Sequence, residues 1–214
     1  MFVLTPNDGK ILDAYAKHFS NVWVVLSPFL RPHALPFERF RPKTYPTRNE
    51  ILADCEPVPW SEIRLLGGFD TLSDIDVALR SYIHGLKHPS QRLKDQLVKM
   101  IEEQKIIPPD EGNFAPHNER RFLHRLSELG HSHVFTANEF AEQIDRKTID
   151  ELLSEDCMPP HGMISTEDGS ILVGSHWDSC CSFLCTQDRI DQFGELEKFL
   201  CSDRTQVYWG VYPV

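Results

Sequence analysis

The chain of 214 residues lacks the features that mark exported and membrane proteins. Its first residues, Met1 to Pro6, form too short an apolar run for a signal peptide, and no basic residue precedes that run. No stretch approaches the roughly 18 consecutive apolar residues that a transmembrane helix needs. We therefore predict a cytoplasmic protein that does not associate with membranes.

The sequence also lacks the short motifs that identify common active sites. The phosphate-binding patterns G-x-x-x-x-G-K and G-x-G-x-x-G do not occur, and neither does the G-x-S-x-G motif of serine hydrolases. The zinc motifs H-E-x-x-H and C-x-x-C are absent as well. The sequence therefore predicts no cofactor. It leaves open whether the protein is an enzyme, and a non-enzymatic role is favoured.

Six cysteines are present, an even number that would suit disulfide bonds in a secreted protein. Without an export signal, reduced thiols that pack as small apolar side chains are the better interpretation. The cysteines are Cys55, Cys157, Cys180, Cys181, Cys185 and Cys201.

The net charge of −10 is unevenly distributed. Residues 1–106 contain 14 Lys and Arg against 13 Asp and Glu, whereas residues 107–214 contain 8 against 19. An acidic surface repels nucleic acid and membrane phosphates and suits a basic protein partner. The alternative is that the charge only maintains solubility.

Hydrophobic periodicity predicts an α+β fold in two parts. Residues 1–107 form a mainly helical part with one short strand at 22–26 and a Pro-rich basic loop. Residues 108–214 form an acidic part with an antiparallel sheet of about four strands and covering helices. The two parts are either separate domains or halves of one compact domain. The predicted helices lie near 6–19, 72–85, 90–105, 118–129, 138–146, 148–154 and 190–200, and the later strands near 133–136, 163–165, 171–174, 182–185 and 206–212.

The Pro-rich loop, residues 27–48, interleaves basic and aromatic side chains. Such a pattern can bind single-stranded nucleic acid, but no nucleic-acid-binding motif accompanies it. We therefore predict a loop fixed by its aromatic residues, with its arginines paired to the acidic half and no nucleic acid bound. The residues concerned are Arg31, Arg39, Arg41, Lys43, Arg48, Phe29, Phe37, Phe40 and Tyr45.

A polar and aromatic segment, Ser175 to Cys181, lies between two predicted strands. Asp and Ser favour turns, and a Trp at a turn is either an exposed binding anchor or a lid on the core. We predict a contact surface here, extended by a Trp of the last strand. Strand alternation also places Cys181, Phe183 and Cys185 on one face. The predicted binding residues are His176, Trp177, Asp178, Ser179 and Trp209.

The same segment permits an alternative, a small thiol- or zinc-dependent hydrolase. A thiol nucleophile needs a base within hydrogen-bond reach and a group that orients the base. Partners this close in sequence would alternate between faces of an extended segment, so we assign no catalytic residue. Loose His and Cys pairs elsewhere match no zinc motif, and we assign no metal ligand. The residues considered are His176, Asp178, Cys180 and Cys181 for catalysis, and His131, His133, Cys157 and His161 for a metal.

The last quarter of the chain resembles a known class of proteins. Ile164-Ser165, Asp168-Gly169, His176-Trp177-Asp178 and Val207-Tyr208-Trp209, the last after a predicted helix, resemble small uncharacterised bacterial proteins of the Bacillus type that contain a domain of unknown function. The pattern is also similar to immunity proteins of polymorphic toxin systems. The resemblance implies a non-enzymatic, immunity-like module that binds a basic protein through its acidic C-terminal face.

Overall fold

The computed structural model describes residues 2–4, 6, 9–138, 140–156, 162–175 and 179–207. This part of the chain has an α+β fold with seven α-helices, as the sequence predicted in outline. The helices are α1 (Ile11–Tyr15), α2 (Arg48–Asp54), α3 (Trp60–Gly67), α4 (Leu72–Tyr82), α5 (Gln91–Gln104), α6 (Pro116–Glu128) and α7 (Ile149–Ser154). The strands are β1 (Gly9–Lys10), β2 (Asn21–Leu26), β3 (Phe29–Pro32), β4 (Cys55–Val58), β5 (His133–Ala137), β6 (Ile144–Thr148), β7 (Met163–Thr166), β8 (Ile171–Ser175), β9 (Cys181–Thr186), β10 (Lys198–Leu200) and β11 (Gln206–Val207).

In the described part of the chain, the main sheet has seven antiparallel strands in the order β10-β2-β9-β8-β7-β5-β6. The prediction of about four strands confined to the C-terminal part is therefore wrong. Strand β2 comes from the N-terminal part and lies between β9 and β10. Its apolar run is buried from Val22 to Leu26, and a strand buried on both faces reaches full hydrogen bonding only inside a sheet.

Helices and loops cover both faces of this sheet. Successive side chains of β2 point to opposite faces and so pack in two different cores. Val24 and Leu26 pack in a core with α3, α4 and α5. Trp23 and Val25 pack in a second core with α6 and α7. The predicted face of β9 is confirmed, since Cys181, Phe183 and Cys185 all belong to the first core. No helix in the described part of the chain is long and apolar enough to cross a membrane.

The predicted helices with strong local signals are confirmed. Helix α4 begins with a capping box in which Thr71 accepts from the Asp74 N–H and the Asp74 carboxylate accepts from the Thr71 N–H. Ser90 caps α5 by accepting from the Leu93 N–H. The Asp-Gly hairpin between β7 and β8 is also confirmed, and Gly169 has the positive φ of 72° that its turn requires.

Three predicted helices are wrong in whole or in part. The first helix spans only α1. In the other two segments, side chains compete for the backbone N–H groups. Around 138–146, Asn138 Oδ1 accepts from the Glu142 N–H at 2.9 Å, which forms a turn before strand β6. Around 190–200, the side chains of Asp188 and Asp191 accept from the N–H groups of residues 190 and 193, both at 3.0 Å. That segment bends and then forms strand β10.

The arginines of the Pro-rich loop mostly pair with acids of the first half, contrary to the expected pairing with the acidic half. Arg31 contacts Glu56 at 3.1 Å and Glu62 at 2.6 Å. Arg39 contacts Glu50 at 2.7 Å. These pairs are close in sequence and hold the loop, strand β4 and helices α2 and α3 together.

Arg48 is the exception, because it forms a buried ion pair with the second half of the chain. Its Nε atom lies 3.1 Å from Glu119 Oε2, and the two side chains are 1% and 2% exposed. Its Nη1 atom donates to the carbonyl oxygens of Leu153 and Glu155 at 3.3 and 3.1 Å. One guanidinium group therefore joins α2, α6 and the end of α7.

We expect Arg48→Met to lower the free energy of unfolding by about 3–5 kcal/mol, because it leaves a carboxylate buried without its cation. Arg48→Met combined with Glu119→Leu should recover much of this loss, because no charge then remains buried. The exposed Lys99–Glu103 pair, 3.8 Å apart, provides the control, and Lys99→Met should cost less than about 0.5 kcal/mol. Urea denaturation measures all three. Equal costs for Arg48→Met and Lys99→Met would contradict this account.

Candidate ligand-binding cavity

A cavity of about 360 Å³ lies between helix α4 and the sheet, and we call it the Asp76 cavity. Its volume is within the range of small-molecule sites, roughly 300–1,000 Å³. Its lining comprises Val24, Leu26, Trp60, Leu72, Ser73, Asp76, Arg80, Ser179, Cys181, Phe183, Phe199, Leu200, Ser202, Arg204, Thr205 and Gln206. The cavity is thus formed by segments that lie far apart in the sequence.

The floor of the Asp76 cavity is an apolar row across three strands. Val24 of β2 is paired with Phe199 of β10 on one side and with Phe183 of β9 on the other. Directly paired residues of antiparallel strands share one face of the sheet. Two residues further along β2, Leu26 is paired with Cys181 and continues the floor.

The roof comes from α4 and from the first residue of α3. Asp76 and Arg80 are one helical turn apart on α4, so their side chains point from the same side of the helix. Trp60 is held by its Nε1–H, which donates to the Ser27 carbonyl at 2.7 Å. Its backbone N–H donates to the Glu197 carboxylate, also at 2.7 Å. The roof is therefore fixed to the strands beneath it.

The side wall is the segment 202–206, which follows strand β10. Thr205 Oγ1 accepts from the Ser202 N–H at 2.9 Å, and the Thr205 carbonyl accepts from the Ile11 N–H at 3.2 Å. The Cys201 N–H donates to the Val22 carbonyl at 2.8 Å. These bonds tie the wall to α1 and to strand β2.

Three large apolar side chains of the lining remain exposed. Leu72 is 37% exposed, Phe199 45% and Leu200 57%. An exposed apolar patch beside a cavity is typical of a site that receives a ligand or a partner. We take these three residues as the mouth of the Asp76 cavity.

The polar groups of the roof have unusual surroundings. Arg80 is only 4% exposed. Burial raises the pKa of Asp76, and the nearby Arg80 partly opposes this rise. Titratable groups whose pKa is shifted by burial and by a specific charge are common at functional sites. The Asp76 cavity therefore combines an apolar floor with a charged roof.

The predicted contact surface coincides in part with this cavity. Ser179 and Cys181 line it, and Ser179 Oγ accepts from the Cys181 N–H at 3.1 Å. His176, Trp177, Asp178 and Trp209 lie outside the described residues. Of the five predicted binding residues, Ser179 is thus the one that the described part of the chain contains, and it lines the Asp76 cavity.

The thiols next to this segment have the properties of core residues. Cys180 Sγ donates to the Pro109 carbonyl at 3.5 Å. Burial raises the pKa of both Cys180 and Cys181, whereas a nucleophilic cysteine needs a lowered pKa. The prediction of reduced, buried cysteines is confirmed for the five that the structure describes. These are Cys55, Cys180, Cys181, Cys185 and Cys201.

The residues considered for a metal are not brought together among the described parts of the chain. No group of three or more His, Cys, Asp or Glu side chains with metal-binding geometry occurs there. His131 and His133 flank the start of strand β5, and His133 Nδ1 lies 2.9 Å from Ser132 Oγ. Cys157 and His161 lie outside the described residues.

The sequence analysis missed Asp76 and Arg80, although a local signal for them exists. From Ile75 to Leu79, Asp76 is the only polar residue. Arg80 follows one turn later, so the pair lies beside the predicted apolar face of the helix. A charged pair bordering the buried face of a helix indicates either a buried ion pair or a ligand-binding site.

We expect Cys180 and Cys181 of the native protein to react with iodoacetamide at least about a hundredfold more slowly than in unfolded protein, because alkylation requires local opening. Peptide mapping by mass spectrometry after timed alkylation at pH 8 measures both rates. Ser127→Cys, at an exposed position of α6, should react rapidly and serves as the control. Rapid, selective modification of either native thiol would instead support the hydrolase hypothesis.

Comparisons with known proteins place the chain in a family. No curated protein and no solved structure matches it. The expected similarity to a domain of unknown function is confirmed, because a family model matches residues 7–211, nearly the whole chain. The chain therefore belongs to the family described as protein of unknown function, DUF2711.

Proposed function

We propose that this protein is a non-enzymatic binding protein that holds a small, mainly apolar molecule in the Asp76 cavity. One observation carries the proposal: a cavity of about 360 Å³ with an apolar floor and a mouth of three exposed apolar side chains. Burying an apolar ligand there would remove both the cavity surface and the exposed mouth from water, which is favourable by about 25 cal/mol per Å².

Binding without catalysis is supported by the chemistry of the described lining. Its thiol, Cys181, is buried and has a raised pKa. The hydroxyl of Ser179 accepts a backbone hydrogen bond, and no described histidine lines the cavity to act as its base. Neither Cys181 nor Ser179 thus has the surroundings of an activated nucleophile.

The proposal is tested with N-phenyl-1-naphthylamine, a neutral dye whose fluorescence rises in apolar sites. Wild-type protein should bind it, and Leu72→Trp should weaken binding at least about tenfold, equal to 1.4 kcal/mol, because the larger ring blocks the mouth. Leu65→Trp makes the same change at an exposed position of α3 outside the cavity and should bind like the wild type.

Thermal unfolding of both variants shows that each is folded before its affinity is interpreted. Absence of dye binding to the wild type would refute the proposed cavity function. Equal losses of dye affinity in Leu72→Trp and Leu65→Trp would also refute it, because the dye would then bind outside the cavity.

A second proposal retains the predicted basic protein partner, in an immunity-like role. Among the described strands, β6 forms one edge of the main sheet, and none of them pairs with its outer side. Ile144 on this strand and Phe140 before it are both more than half exposed. Exposed edges with apolar side chains suit binding by strand addition.

The charges near this edge support a basic partner. Arg146 contacts Glu167 at 2.7 Å, and Lys147 contacts Glu155 at 2.6 Å, so the cations of β6 already have acidic partners. Glu142 and Asp145 are exposed beside them. The surface therefore presents acidic and apolar groups together.

This second proposal requires that a neighbouring gene encode a basic protein, and it is tested by calorimetric titration with that purified product. Glu142→Lys with Asp145→Lys should weaken the complex at least about tenfold, because opposite charges then become like charges. Glu102→Lys with Glu103→Lys makes the same change on the exposed side of α5 and should have little effect. Equal effects of the two double variants would contradict the assigned surface.

A further inference from the structure

We propose that the ligand of the Asp76 cavity is a carboxylic acid with an apolar body, and that Arg80 binds its carboxylate. This inference rests on the proposed cavity function and names the chemical class of the ligand. It follows from the arrangement of apolar and charged groups along the cavity.

The cavity has a polar end and an apolar middle. Cys181 is close enough to Asp76 and Arg80 for both to influence its pKa. The charged pair therefore lies on the side of the Leu26–Cys181 row of the floor, and Ser179, which is bonded to Cys181, lines the same cavity. The row of Phe199, Val24 and Phe183 lies two residues further along the strands, about 7 Å away. This spacing suits a ligand with one polar head.

Arg80 is suited to bind that head if it is a carboxylate. A guanidinium group stays charged in proteins and presents five N–H donors that match carboxylate oxygens in pairs. Arg80 is 4% exposed and lines the cavity. It also interacts within the protein, but five donors allow it to hold a carboxylate as well. Hydrogen bonds to charged groups gain strength where water is excluded.

Asp76 contributes through its protonation state. The titratable and charged groups around it in the described structure are Arg80 on its own helix, Cys180 and Cys181 at the start of β9, and Arg204 on the side wall. Burial favours the neutral acid. A neutral Asp76 donates a hydrogen bond to a carboxylate, whereas an ionised Asp76 repels it.

The charges at the polar end of the cavity favour a ligand with a singly charged anionic head group over other head groups. The described polar end holds one buried cation and one acid that burial pushes toward neutrality, and Arg204 is exposed on the wall. A phosphate dianion would need more positive charge, and a phosphate-binding glycine loop is absent from the sequence. An ammonium head would be repelled by Arg80.

The test uses decanoate, decanol and decylamine as competitors of N-phenyl-1-naphthylamine at pH 7. The three share one apolar chain and differ in their head groups. Decanoate should displace the dye at a concentration at least about tenfold lower than decanol does, because its carboxylate gains a charge-assisted hydrogen bond. Decylamine should be the weakest competitor.

Two variants assign this preference to residues. Arg80→Met should remove the advantage of decanoate over decanol while dye and decanol still bind. Arg92→Met, at an exposed position of α5, is the control with the same change.

Asp76→Asn keeps a hydrogen-bond donor of the same shape. In the wild type the affinity for decanoate should fall as rising pH removes the proton from Asp76, because the ionised side chain then repels the ligand's carboxylate. In Asp76→Asn it should not fall.

The outcomes separate the two proposals. Failure of the dye and of all three competitors to bind the wild type refutes the cavity function itself. Binding of dye and decanol without a preference for decanoate refutes only the carboxylate inference. A preference for decanoate that survives Arg80→Met also refutes it. If Arg80→Met does not fold, the carboxylate inference is tested by the pH dependence of decanoate affinity instead. A fall with pH that is the same in the wild type and in Asp76→Asn then refutes it.

Discussion

The arrangement of this protein depends on the pairing of strand β2 with strands from the C-terminal part. Its backbone is bonded to β9 on one side and to β10 on the other. The flanking bonds from the Leu26 N–H to the Glu197 carbonyl and from the Cys201 N–H to the Val22 carbonyl, 2.9 and 2.8 Å, extend the contact with β10. Without β2, the strand that carries Phe199 would lose the neighbour that it has in the described sheet, and the apolar row of the cavity floor would be broken.

The same pairing explains why charged groups can lie above an apolar surface here. Glu197, just before β10, caps the start of α3, and this contact fixes Trp60 in the roof of the cavity. Helix α4 then places Asp76 and Arg80 over strands β2 and β9. A buried guanidinium group is costly unless it is well bonded. Its position in the wall of a cavity, rather than in a packed core, suits recognition of an anion.

The sequence predicted features that depend on neighbouring residues, and it missed those that depend on distant pairings. The caps at Thr71 and Ser90 and the Asp168-Gly169 turn are local, so α4, α5 and the β7–β8 hairpin were predictable. The position of β2 depends on partners more than 150 residues later in the chain. The cavity combines five separate segments, so neighbouring residues in the sequence do not reveal it. Of the predicted binding residues, Ser179 is the one that the described part of the chain contains, and it lines the cavity.

The central claim is that the Asp76 cavity holds an apolar acid with its head at Arg80. The most direct measurement is a crystal structure of the protein with decanoic acid brominated at its far end. The account predicts the carboxylate at Arg80 and an anomalous bromine signal beyond the row of Phe199, Val24 and Phe183, on its far side from Arg80. A signal at another site, or a ligand bound in the reverse direction, would contradict it.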